Sequence, residues 1–224
     1  MTVADSPRLS REEINRKRLH LAALLMPAGI FYLPRLAPLP PAAPPAILGV
    51  LYVAAIGVDI LRFRLPAVQR RYHQAFKSLL RTEERHRFTG STHIIGASFW
   101  CSLLFIDAPH LSFMALSAFI LGDAAAALVG IRFGKHRIGA KSVEGTISCY
   151  IAGIAVFSTY PLLPGLLDAW GGSMSAGVFF GAPAGMALLE LFPLRVRRSL
   201  RVDDNLVVPV LTGLLIQLLH TLFQ

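Results

Sequence analysis

The chain has 224 residues, of which 54% are hydrophobic and 16% are charged, and it carries a formal net charge of +9. Its mean hydropathy is +0.56. A composition this apolar excludes a soluble domain of the same length and predicts an integral membrane protein. The positive charge falls in gaps between apolar segments rather than on one surface, so we expect membrane lipids and no nucleic acid as partners.

Seven apolar segments follow one another along the chain and predict an all-α, polytopic membrane helix bundle with about seven transmembrane helices. They cover residues 19–33, 44–61, 91–106, 111–131, 146–163, 173–192 and 206–223. No internal repeat or separate soluble region interrupts them. We therefore expect one membrane domain, residues 19–224, preceded by a basic cytoplasmic segment, residues 1–18.

The lysines and arginines lie in alternate gaps between these segments. Of the 22 such residues, only Arg35 falls in one of the other gaps. The positive-inside rule assigns gaps rich in Lys and Arg to the cytoplasm. The alternation therefore predicts a cytoplasmic N-terminus and an external C-terminus, in the inner (cytoplasmic) membrane of the cell.

The longest gap, residues 62–90, is predicted to be a cytoplasmic amphipathic loop. Apolar residues recur in it at helical spacing, and basic residues occupy many of the other positions; the apolar set is Leu65, Val68, Tyr72, Phe76, Leu79 and Leu80. A basic helix with one apolar face is suited to lie in the inner membrane interface. The alternative is an ordinary polar connector with some helical content.

Acidic residues lie at the predicted cytoplasmic ends of the helices. A charge at membrane depth costs free energy, so these acids are candidates for a functional site. Asp123 lies inside the fourth apolar segment, among small residues. The others are Glu144, Glu190, Asp203 and Asp204. For Glu190 a helix-packing or salt-bridge role is an equally good interpretation. Asp59 stands apart from this group and is expected to pair with Arg62.

Residues 133–145, between the fourth and fifth segments, form a loop with three glycines, several basic residues and one acid. Backbone N–H groups and lysines in such a loop can bind phosphates. A P-loop is rejected, because the spacing between Gly139 and Lys141 is wrong and the loop follows an apolar helix. A plain positive anchor explains Lys135 but not the glycines. Lys141 lies three residues before Glu144, so the two side chains are expected to face one point.

Carboxylates beside a basic, glycine-containing loop indicate a divalent cation and a polyphosphate. Mg²⁺ is commonly bound by one or two carboxylates together with phosphate oxygens. Phosphoryl transfer needs mainly positioning and charge stabilisation. An ion-coupled transporter, which also carries acids in its helices, is the alternative from another class. The gathering of the acids on one side counts against it.

The order of these motifs resembles that of the CTP-dependent polyprenol kinase family, which includes dolichol kinase, phytol kinase and CTP-dependent diacylglycerol kinase. The central motifs are Gly122-Asp123-x-x-Ala126, Gly134-Lys135-His136 and Lys141-Ser142-x-Glu144-Gly145. The flanking motifs are Arg16-Lys17-x-x-His20, Arg87-x-Thr89-Gly90-x-Thr92 and Asp203-Asp204-Asn205.

The resemblance implies a lipid kinase that transfers the γ-phosphoryl group of CTP to the hydroxyl of a lipid alcohol of polyprenol, dolichol, phytol or diacylglycerol type. It implies Mg²⁺ or another divalent cation, and a transmembrane kinase domain with a cytoplasmic active site. The choice of CTP over ATP comes from the resemblance alone. A phosphatidate cytidylyltransferase, which also uses CTP, is the alternative activity.

The resemblance also implies roles for individual residues. The catalytic residues would be Asp123, Glu144 and Lys141, and the metal ligands Asp123, Glu144, Asp203 and Asp204. The nucleotide-binding residues would be Arg87, Gly134, Lys135, His136, Lys141, Ser142 and Gly145. The remaining polar residues of the site would be Arg16, Lys17, His20, Thr89 and Asn205.

Overall fold

The computed structural model describes residues 19–76, 87–192, 195–197 and 200–223. Within these ranges the chain is mainly helical. The helices are α1 (Leu25–Leu36), α2 (Ala43–Arg64), α3 (Pro66–Phe76), α4 (Gly90–Leu104), α5 (Pro109–Phe133), α6 (Val143–Thr159), α7 (Ala176–Leu191) and α8 (Asp204–Leu222). A further helical turn precedes α1 at residues 19–22.

Two short antiparallel hairpins connect helices at the same end of the bundle. The first joins α5 to α6 and consists of β1 (Arg137–Ile138) and β2 (Lys141–Ser142), with Arg137 opposite Ser142. Its turn contains Gly139, whose φ of +61° is accessible to glycine at little cost. The second hairpin joins α7 to α8 through β3 (Arg195–Arg197) and β4 (Leu200–Arg201).

All seven apolar segments form helices, but they differ in length. Among the described residues, five helical stretches are long and apolar enough to cross a membrane, namely Leu19–Leu36, Ala43–Arg64, Pro109–Phe133, Val143–Leu162 and Asp204–Leu222. The other two segments form α4, with 15 residues, and α7, with 16 residues. At about 1.5 Å per residue these two helices are shorter than a hydrocarbon core of about 30 Å.

The two shorter helices begin at side-chain caps. Thr89 Oγ1 accepts a hydrogen bond from Thr92 N–H at the start of α4, and Ser175 Oγ accepts from Val178 N–H at the start of α7. Such caps satisfy backbone donors that have no partner within the helix. The described residues form an all-α membrane protein with five helical stretches long and apolar enough to span, and the number of seven spans stays a prediction.

Helix α5 lies at the centre of the bundle, and 56% of the residues in its most apolar stretch are buried. It packs most closely on α6, where glycines let the two backbones approach. A Cβ added at Gly145 would lie 2.9 Å from the Ala126 carbonyl oxygen, so only glycine fits there without a shift. This close crossing holds the start of α6, and the first hairpin before it, against the last turns of α5.

The loop that follows α2 is described only in part. Helix α3 covers Pro66–Phe76, including three of the six apolar positions of the predicted amphipathic helix, and none of its residues is buried. The remainder of the predicted helix, residues 77–86, lies outside the described residues. Its location in the membrane interface stays a prediction, as does the domain division at residue 18.

Candidate functional site

The end of the bundle that carries the hairpins brings together a lysine and two carboxylates from three separate elements. Lys141, in β2, forms an ion pair through Nζ with Glu190 Oε1 near the end of α7. The same ammonium lies 3.3 Å from Asp204 Oδ2 in the first turn of α8. Glu190 is 3% exposed, whereas the Lys141 side chain is 25% exposed. The lysine is therefore anchored from inside the bundle and remains partly open to the outside.

Asp123 belongs to the same electrostatic neighbourhood. It lies ten residues before the end of α5, about 15 Å along the helix. Burial lowers the pKa of Lys141, but the charges of Glu190, Asp204 and Asp123 raise it by more, so the net pKa lies above the ordinary value. The ammonium therefore stays charged. We call Asp123, Glu190 and Asp204, together with Lys141, the carboxylate cluster.

His20, from the helical turn before α1, joins the cluster through Asp123. Its Nε2 lies 3.4 Å from Asp123 Oδ2, and the two side chains are only 14% and 21% exposed. The ring also meets the edge of Phe119 on α5, at a centroid distance of 6.3 Å. The first helical stretch thus reaches the central helix at the level of the predicted catalytic aspartate.

Glu144 makes a separate set of contacts. Its carboxylate accepts hydrogen bonds from the backbone N–H of His136, at 3.1 and 3.3 Å, and lies 2.7 Å from His136 Nδ1. Lys141 instead contacts Glu190 and Asp204. The expectation that Lys141 and Glu144 face one point is therefore wrong in this structure. Lys141 lies in the extended strand β2 and Glu144 lies in the first turn of α6, so the helical spacing rule does not apply between them.

Ser142 and the predicted phosphate-binding glycines fasten the hairpin to the helices. Ser142 Oγ accepts a hydrogen bond from Gly145 N–H, 3.1 Å away, and caps α6. A Cβ added at Gly134 would lie 2.8 Å from Ser142 Oγ. These glycines are thus explained by close packing. Lys135 and His136, which directly precede β1, are exposed.

The start of α8 and the start of α4 meet beside the cluster. Asp203 caps α8 by accepting a hydrogen bond from Asn205 N–H at 3.0 Å. Its other carboxylate oxygen lies 3.9 Å from His93 Nε2, in the first turns of α4. Asp203 is therefore a helix cap in this structure, and Asp204 is the member of the pair that reaches Lys141.

Thr89 belongs to a different arrangement, which we call the Asp59 clamp: Asp59, Arg62, Thr89 and Thr92. Asp59 and Arg62 are 1% and 2% exposed, and Arg62 Nε donates to Asp59 Oδ1 at 2.6 Å. Asp59 Oδ2 accepts from Thr89 N–H at 3.1 Å and from Thr92 Oγ1 at 2.7 Å. Arg62 also donates to the Arg87 carbonyl oxygen. The predicted pairing of Asp59 with Arg62 is confirmed, and Thr89 and Thr92 donate further hydrogen bonds to Asp59.

The structure thus brings together His20, Asp123, Lys141 and Asp204, and adds Glu190, which the motif comparison did not select. One signal for Glu190 was available, because it is the only charged residue in α7. Arg16 and Lys17 lie outside the described residues.

The described residues contain no group of three or more His, Cys, Asp or Glu side chains arranged to hold a metal ion. Mg²⁺ needs fewer protein ligands than that, because it keeps water and takes phosphate oxygens. Asp123 and Asp204 are the partly exposed carboxylates of the cluster, 21% and 20% exposed, and fit a cation that arrives with a nucleotide. Glu144 fits less well, because its oxygens already accept hydrogen bonds from His136.

Two known proteins match most of the chain. CTP-dependent diacylglycerol kinase 1 of Schizosaccharomyces pombe is 26% identical over 220 residues, which cover 93% of this chain and 94% of that protein. An uncharacterized protein of Rickettsia prowazekii is 22% identical over 202 residues, covering 88% and 90%. An uncharacterized protein of Methanocaldococcus jannaschii is 30% identical over 117 residues, which cover 51% of each chain.

No protein-family model matches the chain. No solved structure matches it significantly.

Proposed function

We propose that this protein is an integral-membrane lipid kinase of the CTP-dependent polyprenol kinase type. It transfers the γ-phosphoryl group of CTP to the hydroxyl of a lipid alcohol and releases CDP. The observation that carries this proposal is the similarity to a CTP-dependent diacylglycerol kinase along nearly the whole of both chains. The carboxylate cluster at one end of an apolar helix bundle supports it, since that end offers both an ammonium and carboxylates.

The cluster suits phosphoryl transfer, which depends on positioning and on stabilising charge. Lys141 binds phosphate oxygens of the nucleotide through its ammonium. Asp123, set deeper along α5, accepts the proton of the lipid hydroxyl or orients it for attack on the γ-phosphorus. A divalent cation held by Asp123 and Asp204 would neutralise charge on the triphosphate. Lys135 and His136, just before β1, provide further phosphate contacts.

The lipid substrate is proposed to reach this end from the surrounding membrane leaflet. The faces of the spanning helices expose many large apolar side chains, including Leu128 near the last turns of α5. Such faces are compatible with lipid tails. A polyprenol, phytol or diacylglycerol would then present its hydroxyl at the level of the carboxylates.

A membrane assay with labelled nucleotides and a panel of lipid alcohols tests the proposal. Membranes containing the protein should convert CTP and one lipid alcohol into CDP and a lipid monophosphate, and ATP should be a poorer donor. Pyrophosphate as the product would instead indicate a cytidylyltransferase. If neither nucleotide turns over with any lipid, both enzyme hypotheses fail and an ion-coupled transporter becomes the hypothesis to examine.

The proposed active site requires a definite topology. We propose seven spans, with the N-terminus in the cytoplasm, the residue 133–145 loop in the cytoplasm and Gln224 outside. Single cysteines introduced at Lys77 and Lys135 should react with an impermeant reagent only after the membrane is permeabilised. A cysteine at Gln224 should react in intact cells. External labelling at position 135 would contradict both the topology and the proposed site.

Lys141→Met is expected to weaken nucleotide binding specifically. The variant keeps most of the aliphatic side chain and loses the ammonium. The apparent KM for CTP should rise at least about tenfold, since a hydrogen bond between charged groups contributes roughly 1.5–3 kcal/mol. The dependence on lipid concentration should stay nearly unchanged. Separate titrations of CTP and lipid provide the measurement, and a normal CTP curve would return Lys141 to the role of a membrane-surface anchor.

A further inference from the structure

Glu190 is the most deeply buried acid of the carboxylate cluster. It lies one residue before the end of α7, in a helix that packs on both α6 and α8, and it is 3% exposed. Its carboxylate contacts the ammonium of Lys141, 49 residues away along the chain. A buried acid near a bilayer is costly without a specific partner, and Lys141 is that partner.

We propose that Glu190 is a positioning residue, which holds the Lys141 ammonium at a fixed place where it binds a phosphate group of the nucleotide. The proposal rests on the proposed function and extends it to a residue outside the recognised motifs. Glu190 itself does not touch the substrates. It acts through Lys141.

The geometry around Lys141 supports this role. A free lysine side chain populates many rotamers, and ordering it on binding costs affinity. Here the ammonium has two anchors on separate helices, Glu190 at the end of α7 and Asp204 at the start of α8. Because the Lys141 side chain is still 25% exposed, it is ordered without being closed off from a ligand. Much of the ordering cost is therefore met before a nucleotide arrives.

Two other roles for Glu190 make opposite predictions. If Glu190 were a bystander, its negative charge would repel phosphates, and neutralising it would strengthen CTP binding. If it served only to hold α7 against the hairpin, neutralising it would lower the folded fraction but leave the affinity of the folded protein unchanged. A positioning role predicts weaker binding by protein that is correctly folded.

Equilibrium binding of CTP to the purified full-length chain tests the proposal, with folded protein selected by size-exclusion chromatography. Glu190→Gln keeps the shape of the side chain and should weaken CTP binding about three- to tenfold, the scale of ordering one long side chain. The KM for lipid should not change. Asp107→Asn, which removes an exposed acid from the loop between α4 and α5, is the matched control and should bind CTP normally.

The double variant Lys141→Met/Glu190→Gln decides whether Glu190 acts through Lys141. It should bind CTP as weakly as Lys141→Met alone, because Glu190 has nothing left to position. It also removes the unpaired buried charge that could prevent Lys141→Met from folding. The proposal is overturned if Glu190→Gln binds CTP as well as or better than the original chain. It is also overturned if the double variant weakens CTP binding by the product of the two factors measured for the single variants.

Labelling of Lys141 with an amine-reactive reagent provides a readout that needs no nucleotide. The ion pair with Glu190 holds the Lys141 ammonium inside the cluster and limits the access of such reagents to it. Peptide mass spectrometry should show faster labelling of Lys141 in Glu190→Gln, with the rate at Lys135 unchanged. Equal rates at Lys141 would overturn the positioning contact. If the rates differ but the original chain binds no CTP, the proposed function fails while the contact between Glu190 and Lys141 stands.

Discussion

Asp123→Asn should lower the rate of lipid phosphorylation at least about a hundredfold, the scale of losing a general base or a charge stabiliser. Asparagine keeps the shape and hydrogen-bonding capacity of aspartate but cannot accept the hydroxyl proton or hold a cation equally well. Asp123 is the member of the cluster set deepest along its helix, and His20 lies 3.4 Å from it. The rate is measured with saturating CTP and saturating lipid.

Folding of the Asp123→Asn protein should be little changed, because removing a charge at membrane depth relieves a desolvation cost. Its elution in size-exclusion chromatography and its thermal unfolding in detergent should match those of the original chain. Asp107→Asn, which replaces an exposed acid on the loop between α4 and α5, serves as the activity control and should retain full activity. An Asp123→Asn protein that phosphorylates lipid at the original rate would leave Asp123 with a packing role.

Asp59→Ala should destabilise the protein by about 3–5 kcal/mol, the cost of removing one partner from a buried ion pair. The substitution leaves Arg62, which is 2% exposed, without its carboxylate. It also removes the acceptor for Thr89 N–H and Thr92 Oγ1. Unfolding followed in detergent, by denaturant or by heat, measures the loss.

A double-mutant cycle with Arg62→Ala separates the ion pair from general packing loss. Because the double variant strands no charge, it should lose less stability than the two single variants lose in sum. Val50→Ala, at a largely exposed position on the same helix, is a control that should change stability little. If the losses of stability in the two single variants add up in the double variant, the two side chains contribute independently and the clamp is contradicted.

The sequence predicted those features of the fold that depend on local pattern. The apolar segments predicted the helices, and the alternation of charge predicted that the acids lie at one end of the bundle. Both predictions depend only on how a single segment meets a bilayer. Helix lengths were less predictable: α4 ends at Leu104, two residues before its apolar segment does, and α7 begins only after the cap at Ser175. A cap depends on the backbone turn before it as well as on residue type.

Partners distant along the chain were beyond the sequence pattern. Lys141 and Glu190 are 49 residues apart, and Asp59 and Thr92 are 33 apart. Their contacts exist because α7 packs against α6 and because α2 packs against α4. Motif order therefore indicated Asp123, Lys141 and Asp204 as candidates, but it could not reveal which acid each cation would meet.

The Asp59 clamp joins the chain at the end of α2 to the chain at the start of α4. Arg62, near the end of α2, donates to the Arg87 carbonyl oxygen, and Asp59 accepts from Thr89 N–H, so both ends of the connection between α2 and α4 are fixed at one place. Doubling the length of such a loop costs only about 0.6 kcal/mol in closure entropy. A reporter or tether inserted between α3 and Arg87 is thus expected to leave α2 and α4 in place, because the clamp fixes both ends of the connection.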